Sequence, residues 1–440
     1  MKWVATRPRR NGQWLWHASW EWRLPTNGFR PAPRRSSFPA SGSIRSRDFV
    51  LCFRPRCSRW VGWQVYEITG RPIDLGLTGL VQFLPPVLLF WLAGHAADRF
   101  DRRKLLTLCY AGYGLSSALL LAVTMRSDYL HRRETIAPIF AILFLVGVVR
   151  SFSMPASRAL LPQLVPEEQF QSAVAWNSGI FQCATILGPA LGGLLYAVSR
   201  GPVLVYAVAL LAAILSVLTT RRIRVERRPR AREPFTIDTV LAGFRYIWTH
   251  KLVLGSISLD LFAVLLGGAV ALLPVYAKEI LHTGPWGLGL LRSAPGIGAG
   301  TMALLIAYKP IRRRAGATML CCVAGFGLFT MVFGYSRSLP LSLASLLFVG
   351  AADMVSVVVR GVVIQLGTPD EMRGRVNAVD MIFIGASNEL GEFESGLLAQ
   401  WLGAVPAVVL GGAGTLLVVG LWAWLFPELR SADRLVGTRV

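Results

Sequence analysis

Eleven apolar stretches fill most of the chain from residue 74 onward, at 74–97, 104–125, 136–156, 172–198, 202–220, 252–276, 286–308, 315–334, 340–362, 376–400 and 404–426. A helix needs roughly twenty residues to cross a hydrocarbon core of ~30 Å, and these stretches supply about that many each. In lipid, every backbone polar group has to be satisfied inside the segment that carries it, which selects helices. The expected fold class is an all-α membrane protein with about eleven transmembrane helices. Only 16% of the 440 residues are charged, against roughly 25% in soluble domains, and the mean hydropathy is +0.50.

The net charge of +22 is what a nucleic-acid binder carries. Here the charge lies in a tail and in short loops between apolar spans, not on one soluble basic face, so no nucleic-acid partner is expected. Lys and Arg number 24 in one alternating set of loops: 98–104, Arg158, 221–251, 309–314, 360–375 and the C-terminus. The other set holds 6: Arg126, Arg132, Arg133, Arg200, Lys278 and Arg337. The positive-inside rule makes the first set cytoplasmic, C-terminus included. Cys109, Cys183, Cys321 and Cys322 fall inside apolar spans, where cysteine acts as a small hydrophobe. Cys52 and Cys57 have no second pair and no nearby ligand histidine. No metal and no cofactor are expected.

Residues 1–59 differ from the rest. They hold Lys2 and twelve arginines against Glu21 and Asp48, a net +11, together with Trp3, Trp14, Trp16, Trp20 and Trp22 and no run long enough to span. The stretch lacks the apolar core of a signal peptide. The expectation is a disordered or out-of-frame tail; a basic, Trp-rich arm on an anionic membrane surface is the alternative.

The hydrophobic body repeats itself. Leu75-Gly76-Leu77, Pro85 and Arg102 are followed 210 residues later by their counterparts Leu288-Gly289-Leu290, Pro295 and Arg312, the leucine–glycine segment being shifted by three more. Gln163-Leu-Val-Pro-Glu-Glu168 matches Gln365-Leu-Gly-Thr-Pro-Asp-Glu371 at offsets of 202–203. Two helical halves are expected, 60–220 and 252–427, before a cytoplasmic tail at 428–440. They are joined by a basic cytoplasmic linker at 221–251, which holds an amphipathic helix with Phe235, Val240, Phe244 and Ile247 or Trp248 on one side.

Between the first two spans stands Gly94-His-Ala-Ala-Asp98-Arg99-Phe-Asp-Arg102-Arg103-Lys104. A carboxylate at the C-terminal end of a helix is disfavoured by the macrodipole unless something outside that helix compensates it. The pattern resembles the signature loop of the major facilitator superfamily of secondary transporters. That resemblance implies a fold of two six-helix parallel repeats. It also implies a conformational latch made by Gly94, Asp98, Arg99, Arg102 and Arg103. The alternative for this cluster is a topology signal alone. In the second half Tyr308 stands where Asp98 does, and only the basic part is kept.

Gly188-Pro189-Ala190-Leu191-Gly192-Gly193 resembles the core of a motif of proton-coupled drug antiporters of this superfamily, with Ala184 where that motif has glycine. Pro189 and the glycines Gly188, Gly192 and Gly193 permit a kink and tight helix packing. Arg150 is an intramembrane arginine, which is costly and points to a proton or substrate role or to a helix-end anchor. The superfamily's antiporters carry an arginine at similar depth, followed by glycine where Ser153 stands here. The stretch 376–400 holds Asp380, Asn388, Glu389, Glu392 and Glu394. Glu389 and Glu392 are about 60° apart on a helix and share a face. Crowded carboxylates in low dielectric suit groups that bind and release protons. Asp260 and Asp353 are further single acids inside spans. These six (Arg150, Asp260, Asp353, Asp380, Glu389 and Glu392) are the candidates for proton coupling or the substrate path.

Gly391-Glu-Phe-Glu-Ser-Gly396 and Val61-Gly-Trp-Gln-Val-Tyr-Glu-Ile-Thr-Gly70 resemble the branch of bacterial exporters related to the enterobactin exporter. In that branch an apolar helix precedes the Val61–Gly70 segment, whereas here arginine-rich sequence does, so the first helix is expected to be missing or mistranslated. The resemblance implies a monomeric exporter of a small organic molecule by proton antiport in the bacterial inner membrane, its partners being substrate, protons and the lipid bilayer. The alternative is a membrane remnant that inserts but does not transport. With no nucleophile–base pairing and no metal spacing, an enzyme is not expected.

Overall fold

The computed structural model describes residues 58–126, 136–165, 170–223, 237–311 and 314–431. Residues 1–57 of the expected tail at 1–59 and the C-terminal residues 432–440 lie outside the described residues, while Ser58 and Arg59 open α1. All regular structure among the described residues is helical. The first half is α1 (Ser58–Thr69), α2 (Pro72–Leu88), α3 (Phe90–Arg99), α4 (Arg102–Met125), α5 (Ile136–Leu164), α6 (Phe170–Ser199) and α7 (Val203–Arg221). The linker helix is α8 (Ile237–Thr249). The second half is α9 (Lys251–Leu266), α10 (Gly284–Tyr308), α11 (Ala315–Tyr335), α12 (Leu339–Gly367), α13 (Asp370–Leu402) and α14 (Ala404–Leu425), followed by the short α15 (Pro427–Ser431). Nine helices among the described residues are long and apolar enough to cross a membrane. The other two of the eleven expected stretches are also helical, for separate reasons. The stretch 74–97 is broken into α2 and α3 at Leu89, just past Pro85 and Pro86, which remove two backbone donors from the ladder. α13 spans 33 residues but carries too many carboxylates to read as lipid-facing.

The parallel repeat is visible in the packing. α5 and α12 begin 203 residues apart and end 203 residues apart. α2 packs on α5 as α10 packs on α12, and α4 packs on α5 and α7 as α11 packs on α12 and α14. The halves meet through two equivalent pairs, α2 with α13 and α6 with α10.

The same symmetry refines the expectation of an absent first helix. Val65-Tyr66 and Val275-Tyr276 stand 210 residues apart. α1 is thus the counterpart of the last part of the first span of the second half, where the chain passes from α9 through a tight turn at Ala269–Leu272 to a wide π-type turn at Tyr276–Ile280. The Gly-Trp-Gln-Val-Tyr-Glu segment belongs to the first helix; it does not lie outside it. At 12 residues α1 is ~18 Å long. It is buried on all sides: Trp60, Val61, Trp63, Gln64, Val65 and Tyr66 are all shielded. Gln64 is held at both ends, donating to Thr124 on α4 at 3.1 Å and accepting from Tyr206 on α7 at 2.5 Å.

A correction concerns Arg360, counted with a cytoplasmic loop. It lies inside α12 and is buried, because it is ion-paired there. The loop count falls by one and the asymmetry stands.

Candidate functional site

α2 turns two glycines one turn apart, Gly76 and Gly79, toward α13. A Cβ on Gly76 would stand 2.9 Å from the Cα of Phe393. A Cβ on Gly79 would stand 2.8 Å from Glu392 Oε2 and 3.3 Å from Glu389 Oε2. Small residues at this seam let the backbones approach and leave space for two carboxylates on the same face of α13. Arg150, on α5 of the first half, reaches that space. Its Nη1 donates to Glu389 Oε1 at 2.8 Å, with the arginine side chain 42% exposed and the glutamate 12%. Arg150 also feels the charge of Glu392. One guanidinium from one half thus faces two carboxylates from the other.

A second network lies wholly within the second half. Arg360 on α12 is ion-paired with Asp260 on α9, and its Nε stands 3.5 Å from Asp380 Oδ1 on α13. Ser356, one turn earlier on α12, donates to Asp260 Oδ1 at 3.2 Å. Asp353 lies seven residues before Arg360, on the same helical face, and feels the charges of both Asp260 and Arg360. Three carboxylates share one guanidinium here. Asp353 is also 203 residues after Arg150, so the equivalent positions of α5 and α12 carry opposite charges.

The first span of the second half is discontinuous beside this acidic helix. α9 ends at Gly267, and Gly268 lies so close to the backbone of Gly391 that no side chain fits there. The close approach is what requires glycine at 268. Glu394, on the other side of α13, accepts a long 3.5 Å contact from Ser395.

Toward the end of the seam that carries Pro72, Ser199, Gly284 and Leu402, the halves are clasped. Tyr66 on α1 donates to Glu279 after α9, and Lys278 stands 5.3 Å over the Tyr66 ring; within the first half Tyr196 on α6 donates to Glu67 on α1. Gly192 and Gly193 serve the same end. Trp60 lies against Gly192, and a Cβ on Gly193 would stand 2.8 Å from the Pro285 carbonyl. Pro189 sits within α6, its carbonyl 2.9 Å from where a Cβ of Gly289 would be, and Gly188 is half-buried one residue before it. Farther along the seam Gln182 donates to the Gly296 carbonyl at 3.0 Å.

The signature loop closes α3 and opens α4. Asp101 caps α4, accepting from the backbone N–H of Arg103 at 3.0 Å and of Lys104 at 3.4 Å. Arg103 Nη1 donates to the Ile223 carbonyl at 2.9 Å, tying the loop to the end of α7. Arg99 is exposed and Arg102 half-buried. The side chain of Asp98 lies outside the described residues. Among the described residues no atom lies within 4 Å of a Cβ built on Gly94. In the linker, Phe235 and the Val240 side chain lie outside the described residues. α8 buries Ile247, while Phe244 and Trp248 stay exposed. The predicted single apolar side therefore splits between a protein face and an open face.

Arg360, Ser356, Gly79 and the Tyr66–Glu279 contact were missed by sequence reasoning. The argument that singled out Arg150 applies equally to Arg292 on α10 and Arg360 on α12, both of them arginines inside apolar spans.

A family model described as Major Facilitator Superfamily matches residues 61–391. Among relatives, the multidrug efflux pump Tap of Mycolicibacterium fortuitum is 26% identical over 397 residues, covering 84% of this chain and 91% of that one. The enterobactin exporter EntS of Citrobacter koseri is 24% identical over 368 residues, 84% of each chain. Among solved structures, a mutant of the nucleoside transporter NupG superposes with a TM-score of 0.68 at 12% identity, over 87% of this chain and 100% of that one. A D-xylose–proton symporter does so with 0.67 at 15% identity, over 89% and 98%. With two parallel repeats meeting along paired seams and a family match across three quarters of its length, this chain belongs to the Major Facilitator Superfamily and is a multi-pass membrane transporter.

Proposed function

We propose that the chain exports a small organic molecule across the bacterial inner membrane in exchange for protons, as a monomer, by rocking its two halves (60–220 and 252–427) about the seam. The Arg-rich loops and the C-terminus are cytoplasmic in this reading. The observation that carries it is the Arg150–Glu389 pair across the halves, with Glu392 beside it. Two carboxylates crowded on one face in a low-dielectric seam repel each other, and a proton is the smallest group that relieves the repulsion. A rocking motion pulls α5 away from α13 and so couples that proton to the state of the transporter. In the same reading Asp98, with Gly94, Arg99, Arg102 and Arg103, latches the opposite state, and Asp260, Asp353 and Asp380 become candidates for the proton site only if the Glu389 and Glu392 pair carries none. The relatives' names supply the substrate class to try first, a drug or a siderophore.

Inverted vesicles holding an imposed pH gradient test this. Addition of ethidium or enterobactin should release protons through the parent, read as recovery of a quenched acridine dye. Glu389→Gln and Glu392→Gln should each weaken uphill transport, with downhill exchange surviving in at least one. If both variants pump as well as the parent, the coupling proton is not on this pair and Asp353 or Asp260 is next. A parent that inserts yet moves neither substrates nor protons would favour the non-transporting remnant.

A further inference from the structure

Two hydroxyls lie beside Arg150 and take no part in the proposed cycle. Tyr113 is on α4, and Ser153 is on α5 one turn past Arg150. Their oxygens are 3.1 Å apart, and the two residues are 7% and 4% exposed. The contact depends on a close approach of the two helices at this level: a Cβ on Gly112 would stand 2.6 Å from Val149. Ser153 fills the position where the superfamily's antiporters carry glycine, which has no hydroxyl to offer. The pair is therefore a property of this chain and not of the motif.

The direction of the hydrogen bond follows from its surroundings. Ser153 Oγ donates to the Arg150 carbonyl, three residues back on the same helix, at 3.3 Å. With the serine proton committed there, Tyr113 is the donor to Ser153. A phenol that has given its one proton away keeps its oxygen as an acceptor. Positions 150 and 153 are about 60° apart around α5 and ~4.5 Å apart along it. The phenol lies within electrostatic reach of the Arg150 guanidinium. A long, flexible arginine side chain can swing between Glu389 across the seam and this oxygen in its own half.

The motion creates the need for that second acceptor. A guanidinium whose acceptor is withdrawn in a low-dielectric seam keeps its desolvation penalty and loses its partner. When the halves part, Glu389 departs with α13, whereas α4 stays packed on α5 within the first half. We propose that Tyr113 is a positioning residue that receives Arg150 when the seam opens: its oxygen, oriented by Ser153, accepts from the guanidinium once Glu389 has moved away. This rests on the proposed rocking cycle and on the Arg150–Glu389 pair, and it supplies the arginine's partner in the open state.

The test puts spin labels on Arg200→Cys and Arg337→Cys, one exposed site in each half, in the full chain cleared of its native cysteines. Electron paramagnetic resonance reads the distance between them across a pH series. The parent should show a short and a long distance, the long one gaining as pH falls, because the open seam takes up a proton. Tyr113→Phe keeps the ring and removes the hydroxyl. It should lower the ratio of long to short by about threefold to tenfold, the range that one hydrogen bond of ordinary net strength supplies. The midpoint of the pH series should move downward with it, since more protons are then needed to open the seam. Ser153→Ala reads the same bond without touching α4, and should shift the midpoint the same way by less. In an Arg150→Met background, Tyr113→Phe should add no shift. Lost packing alone would lower the unfolding temperature and leave the midpoint where it was. A midpoint that moves in Arg150→Met but in neither Tyr113→Phe nor Ser153→Ala overturns this inference alone. So does a further shift by Tyr113→Phe in the Arg150→Met background. A midpoint indifferent to Arg150→Met, or a single parent distance at every pH, overturns it together with the proposed cycle.

Discussion

Arg360→Gln is the sharpest test of the charge networks. The substitution removes the one cation that Asp260 and Asp380 share, in a site where all three side chains are buried. Breaking a buried pair from one side costs ~3–5 kcal/mol, because the remaining charge keeps its desolvation penalty and loses its partner. At roughly 2–4 °C per kcal/mol for a body of 150–250 residues, the unfolding temperature should fall by on the order of 10 °C. Arg150→Gln is the control. It also removes an ion pair, but one whose guanidinium is 42% exposed, so water offsets part of the loss and the cost should be smaller than that of Arg360→Gln. Adding Asp260→Asn to Arg360→Gln should recover part of the loss, since it removes the orphaned charge; coupling between contacting residues runs to ~0.5–3 kcal/mol. The assay is a thermal scan of the detergent-purified full chain, followed by size-exclusion chromatography. Two results would refute the reasoning: Arg360→Gln unfolding no earlier than Arg150→Gln, or a double variant less stable than Arg360→Gln alone.

Gly79→Val drives a branched side chain into the space occupied by Glu392 and Glu389, and such overpacking costs ~1–3 kcal/mol; transport should fall more than expression, as measured by uptake and by membrane yield. Gly94→Ala meets no neighbour within 4 Å among the described residues and should hold or gain up to ~1 kcal/mol of helix stability in the same thermal scan. Lost transport at intact stability would place a close contact of Gly94 in another conformation. Tyr66→Phe removes the donor to Glu279, a charge-assisted bond worth ~1.5–3 kcal/mol, and should raise labelling of cysteines placed near Pro72 and Pro285. Unchanged labelling would make the contact ornamental to the seam.

The fold was legible because lipid makes the code coarse. A twenty-residue apolar run has one structural outcome, and an offset of 203 or 210 residues survives as long as loops keep their length. α1 escaped the hydropathy pattern because its neighbours in sequence are polar; the repeat exposes it through Val65-Tyr66 and Val275-Tyr276. The charged residues were legible singly but not in pairs. Arg150 and Glu389 are 239 positions apart, and their contact depends on how α5 and α13 lean across the seam. Arg360 was counted as a loop residue because a lone arginine two turns from a helix end looks solvated until Asp260 and Asp380 are placed beside it.

The two networks differ in what a rigid-body rocking of the halves would do to them. Asp260, Arg360 and Asp380 sit on α9, α12 and α13, which move together, so their bonds persist through the cycle and act on stability alone. Arg150 and Glu389 sit on opposite halves, as do Tyr66 and Glu279, and the motion has to part at least one of these pairs. When Arg150 leaves, Glu389 and Glu392 face each other without the guanidinium, and taking up a proton becomes the inexpensive response. In the proposed cycle proton uptake would be tied to opening of the seam by geometry, with no requirement for a signal carried through the helices. Mutations in the Asp260–Arg360–Asp380 network should therefore lower the amount of folded transporter and leave its coupling ratio unchanged. Mutations of Arg150, Glu389 or Glu392 should leave the amount unchanged and alter the ratio of protons to substrate.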